Sequence, residues 1–127
     1  VRGVRGAERR YQELGIITHT LKAMARRLGI VVVAVSQLNR QAASSDGPPQ
    51  LHELRESGDI EQDADTVMLL HAPHLESDNI HEQRQRDCVI AKQRSGRLGT
   101  IELGFVRDFC RIEEPQVIRE LDGEVAA

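Results

Sequence analysis

At 127 residues, with 39% apolar and 29% charged positions, the chain suits one globular domain with a modest core. A formal net charge of −3 excludes nucleic-acid binding through bulk charge, so any such binding rests on a local patch or on backbone groups. No apolar run approaches the ~18 residues of a membrane span, and the basic start, Val-Arg-Gly-Val-Arg-Gly, has no signal-peptide apolar stretch behind it.

One Tyr, two Phe and no Trp leave the core to Val, Ile, Leu and Ala. Cys88 and Cys110 each sit in an apolar, strand-like stretch, which reads as two buried free thiols and a cytoplasmic address. The first residue is not Met, which suggests a cut chain.

In chain order, residues 1–10 are basic with two glycines and read as a loop. From Tyr11 the pattern turns helical: Leu14, Ile17, Leu21, Met24 and Leu28 step by three and four and mark one apolar face. Gly15 weakens its first turn. Arg26 and Arg27 suit the negative end of the helix dipole, and Gly29 is placed to cap it. Ile30 to Val35 is β-branched apart from Ala34, the pattern of a strand buried on both faces. Helix, tight turn and doubly buried strand are half of a βαβ unit and predict an α/β fold with a parallel sheet.

Residues 40–50 read as a loop. Short helical turns are expected at 51–57, stopped near Gly58, and at 59–64. Strands follow at 66–70, 88–92, 100–106 and 109–112, with a surface loop over 72–86 and a turn at Ser95-Gly96-Arg97. The last three strands form a meander, so the sheet turns antiparallel at its C-terminal edge. The folded part spans 11–114, and 115–127 reads as a flexible tail.

Four stretches carry candidate chemistry. Ser36-Gln37-Leu38-Asn39-Arg40 follows the buried strand, where α/β sheets bind ligands, and Gln37 can present an amide to a phosphate or an attacking water. On position alone, a strand end satisfied by polar side chains is the plainer reading. In Leu54-Arg55-Glu56-Ser57-Gly58 and the acidic run to Asp65, Arg55 and the N–H groups near Gly58 suit backbone phosphates of single-stranded DNA. The plain alternative is a solvated surface with internal ion pairs. Lys92 and Arg94, two apart on a strand, project to one side and repel unless an anion sits between them; a triphosphate is such an anion. Cations guarding an edge strand are the alternative. His71-Ala72-Pro73-His74, with His81 nearby, has no Cys or carboxylate pattern to complete a metal site and reads as surface loop. No G-x-x-x-x-G-K-[ST] loop occurs, and no Asp-ending strand precedes the first helix, so neither a phosphate cradle nor a Mg²⁺-holding carboxylate is visible.

Taken together, these stretches resemble the DnaB family of hexameric replicative helicases from about Glu13 to about Glu113. The family's elements occur in order: Leu21-Lys22-Ala23-Met24-Ala25, Ser36-Gln37-Leu38-Asn39-Arg40, Leu54-Arg55-Glu56-Ser57-Gly58, Ile60-Glu61-Gln62-Asp63-Ala64-Asp65, Ile90-Ala91-Lys92-Gln93-Arg94-Ser95-Gly96 and Gly99-Thr100. The stretch His71 to His74 departs from the Arg and acidic or aromatic residues usual there.

The resemblance implies a RecA-like P-loop NTPase core, present in part, and a homohexameric ring that moves on single-stranded DNA and unwinds duplex at the expense of ATP with Mg²⁺. Gln37 would sense the γ-phosphate. Lys92 and Arg94 would act in trans on a neighbour's ATP. Arg55, Glu56 and Gly58 would line the DNA channel. A helicase loader and a primase are implied partners, and the P-loop and acidic strand are expected upstream of Val1. The chain alone is then expected to be poorly stable and inactive toward ATP. A non-catalytic RecA-like module that joins a helicase ring, or that binds single-stranded DNA, is the alternative.

Overall fold

The computed structural model describes residues 2–39, 47–54 and 57–116. Helix α1 spans Arg2–Leu28. It therefore includes the residues expected as an N-terminal loop. Gly15, expected near the helix start, lies mid-helix. There a Cβ would meet the carboxylate of Asp59 on the next helix, which would have to turn aside. The C-terminal end follows expectation. Gly29 adopts φ +62°, and the N–H of Ile30 donates to the carbonyl of Ala25 at 3.1 Å. This is the bond of a Schellman cap, which needs a left-handed residue just past the helix.

After this cap, residues 30–37 belong to no helix or strand. Val31, Val33 and Val35 are 90%, 79% and 97% exposed. The doubly buried strand of a parallel sheet, expected here, is not formed. An apolar β-branched run becomes a buried strand only when neighbours bond its edges and cover its faces, and no described segment does so. Its far end is anchored: Leu38 bridges Leu54, and the N–H of Asn39 donates to the carbonyl of Glu53 at 2.8 Å.

A 3₁₀ turn at Leu51–Glu53 leads into α2, Ser57–Asp63. The 3₁₀ turn ends at Glu53, and Gly58 sits in the first turn of α2 instead of stopping a helix. Helix α1 packs on α2, where the Thr18 hydroxyl donates to Asp63 Oδ2 at 2.9 Å.

The rest is one antiparallel sheet in sequential order: β1 (Thr66–His71), β2 (Gln85–Gln93), β3 (Gly99–Val106) and β4 (Arg111–Glu113). A short helix α3, Ile80–Arg84, interrupts the expected surface loop, capped by Asn79, whose side chain accepts from the N–H of His81. The expected antiparallel edge is present. Among the described residues the parallel part is not, and β1 itself pairs antiparallel with β2. Alternation on β1 sends Val67 and Leu69 inward, where with Leu54 they form the core, while Met68 and Leu70 face outward. Leu38, Leu51, Ile60, Ala64, Val89 and Ala91 pack around that core. Cys88 is buried as expected, but Cys110 is exposed: it ends a 3₁₀ turn at Arg107–Phe109 in the left-handed region, φ 47°, and so sits at a corner before β4.

Candidate nucleotide and DNA site

The ladder between β1 and β2 contains a bulge. Val67 pairs with Lys92, but Met68 pairs with Ile90, so Ala91 has no partner of its own. Residues opposite one another share a face. Val67 is buried against α2, so Lys92 is turned to that side as well, beside Val89 and Ala91. Its ammonium donates to the carbonyl of Glu61 and lies 3.5 Å from that of Gln62.

Arg94 follows on the same side. Its Nη2 donates to the carbonyl of Gln62 at 2.8 Å, and its Nη1 lies 3.6 Å from Asp65 Oδ1. Its backbone N–H donates to the carbonyl of Asp65 at 2.9 Å. The two cations expected side by side are therefore brought together, at the C-terminal end of α2. The last carbonyls of a helix lack intrahelical partners and carry partial negative charge, which suits Lys and Arg. Two like charges are thus held close, with the carbonyls of α2 between them. Arg94 remains nearly half exposed and able to reach outward.

Asp65, which follows α2, joins this group from the other side. Lys22 of α1 contacts its Oδ2, and this contact, with the nearby charges of Arg94 and Arg26, holds the carboxyl below its ordinary pKa. Sequence reasoning assigned no role to Lys22 or Asp65. The signal was present in the acidic run ending at Asp65, but the partner lies 29 residues downstream, reached only through the β1–β2 register.

The other candidates lie on different elements. Gln37 is exposed at the end of the 30–37 segment, next to the Leu38–Leu54 bridge. Arg55 and Glu56 lie outside the described residues; Gly58 opens α2. The bridge ties the Gln37 segment to Leu54, the residue before Arg55, and α2 runs from Gly58 to the carbonyls that hold Lys92 and Arg94. An open cleft of about 570 Å³ between α1 and α2 is lined by Asp59, Asp63 and His19 among others, with His19 Nδ1 at 3.6 Å from Asp63. Its acidic wall disfavours phosphate.

The fold resembles that of solved ATPase and helicase domains. A solved ATPase domain superposes with a TM-score of 0.73 at 38% identity, covering 83% of this chain and 37% of that one. A solved DnaB-like replicative helicase, studied with its primase interactions, gives 0.73 at 37% identity, covering 82% of this chain and 26% of that one. The family model for the DnaB-like helicase C terminal domain matches residues 1–114, and the chain belongs to that family. Replicative DNA helicase DnaB of Geobacillus stearothermophilus is 40% identical over 106 residues, covering 83% of this chain and 23% of the relative. That of Treponema pallidum is 43% identical over 102 residues, covering 80% and 21%. The chain thus spans under a quarter of the length of these curated relatives.

Proposed function

We propose that this chain is the C-terminal part of the RecA-like motor of a replicative DNA helicase. In that reading the protein is a cytoplasmic homohexamer that uses ATP with Mg²⁺ to move on single-stranded DNA and unwind duplex, with a loader and a primase as partners. Within it, the segment 30–37 is a strand of a parallel sheet completed by residues outside this chain, and Gln37 at its end senses the γ-phosphate. Arg55, Glu56 and Gly58 contact the phosphates of single-stranded DNA.

The observation that carries the reading is the paired presentation of Lys92 and Arg94. Both donate to the last carbonyls of α2, weakly anionic acceptors that a triphosphate would outcompete. These residues would hold a neighbour's γ-phosphate and stabilise the charge that develops as it is cleaved. The main phosphate cradle and the metal-holding carboxylate belong to other residues of the intact protein, since no sequence here matches them.

The test is Arg94→Ala in the full-length protein. Turnover of ATP is expected to fall on the order of 10³-fold, as for other trans-acting arginines, while nucleotide binding persists. An unchanged rate overturns the assignment.

A further inference from the structure

The guanidinium of Arg94 is held at two of its nitrogens and by its own backbone. Nη2 is fixed by the carbonyl of Gln62 at 2.8 Å, and Nη1 faces Asp65 Oδ1 at 3.6 Å. The backbone carbonyl of Asp65 also accepts the backbone N–H of Arg94, so one residue sets both the position of the main chain and the direction of the side chain. Guanidinium groups are planar with donors in a rigid fork, so a hydrogen bond at one nitrogen and a carboxylate beside another bias the direction in which the group faces. The carboxylate is itself held from behind by Lys22 of α1.

We propose that Asp65 is a positioning residue for Arg94, its carboxylate orienting the guanidinium that acts on the neighbouring subunit's ATP. This rests on the proposed trans role of Arg94. The strength of the hold suits the task. At 3.6 Å the Asp65–Arg94 contact is an ion pair and not a hydrogen bond, and both side chains are substantially exposed, which makes such pairs weak. Sharing the carboxylate with Lys22 weakens the hold further. Arg94 is therefore aimed without being trapped, and its other donors can take up a multiply charged phosphate while Asp65 stays beside Nη1.

The experiment uses the full-length protein and four variants: Asp65→Asn, Asp65→Glu, Arg94→Ala and the Asp65→Asn/Arg94→Ala double. Asparagine keeps the shape and removes the charge. DNA-stimulated ATP turnover by Asp65→Asn is expected to fall roughly ten- to a hundredfold in kcat, with KM for ATP within about twofold, the pattern of lost transition-state alignment. Asp65→Glu, which restores the charge, is expected to recover at least a third of the lost kcat on a logarithmic scale. The double variant is expected to be no slower than Arg94→Ala, because positioning has no effect once the positioned group is gone. Wild-type kcat in Asp65→Asn, alongside a crippled Arg94→Ala, overturns this inference and leaves the proposed function standing. A further tenfold loss in the double also overturns it, since Asp65 then acts through something else. Full activity in Arg94→Ala removes the reading on which it rests.

Discussion

Two valines on the same chain, each replaced by threonine, separate a buried position from one that only becomes buried. Val67 is 8% exposed in the core beneath α2, whereas Val33 is 79% exposed on the segment 30–37. Threonine matches valine in shape but adds a hydroxyl, and burying a hydroxyl without a partner costs about 1–3 kcal/mol, whereas leaving it in water costs under about 0.5. In the 127-residue chain, Val67→Thr is therefore expected to lower stability by about 1–3 kcal/mol, or roughly 4 °C in Tm for each kcal/mol, and Val33→Thr to leave it unchanged. In the full-length protein, where the proposal has strands and helices cover segment 30–37, both substitutions are expected to cost about the same 1–3 kcal/mol. Urea denaturation of all four proteins, followed by circular dichroism, reads the midpoints side by side. A null effect of Val33→Thr in the full-length protein refutes the reasoning, because it leaves the apolar run exposed there too.

Arg55→Ala in the full-length protein is expected to weaken binding to single-stranded DNA and to flatten the salt dependence of log K by about 0.7 for each phosphate no longer neutralised; fluorescence anisotropy at several salt concentrations measures both, and an unaltered slope removes Arg55 from the DNA path. The lowered carboxyl of Asp65 gives a pH dependence with a defined sign. Its contribution to stability is complete above the ordinary carboxylate pKa of about 4 and is lost as pH falls through the lowered folded value. The groups that face it are Lys22, Arg94 and Arg26, with Lys22 dominant. Lys22→Met is accordingly expected to move the Asp65 titration upward, as read by carboxyl carbon NMR shifts, and an unmoved midpoint contradicts the cause given.

Local signals carried well from sequence to structure. The Gly29 cap, the strands near 66–71, 85–93 and 99–106 and the antiparallel run of the last strands rest on interactions within short stretches, and those are legible in residue order; that β1 joins this run antiparallel was not. Segment 30–37 shows the opposite case. Its residues state that they belong in a core, but burial is a property of what lies against a segment. Gly15 shows another: the same residue reads as a weak helix start in isolation and as a close approach once Asp59 lies against it. For the candidate site, period-two spacing showed that Lys92 and Arg94 share a side. It did not show which side, because that depends on the bulge at Ala91. Asp65 was hidden for a related reason, since a surface carboxylate acquires a partner only through strand register.

The bulge gives the β2 strand a parity. Side chains on a strand alternate, so a regular ladder with Ala91 paired to Val67 would set Lys92 opposite Thr66 and send it to the face of Met68, away from α2. At position 91 the pairing of the residue therefore carries information that its chemistry does not. Substitution there leaves the facing alone, and loss of the surplus residue keeps Lys92 opposite Val67, whereas pairing that residue into the ladder turns both cations to the other face. The aim of the two cations thus depends on one residue that the ladder leaves out, and on its being left out rather than on what it is.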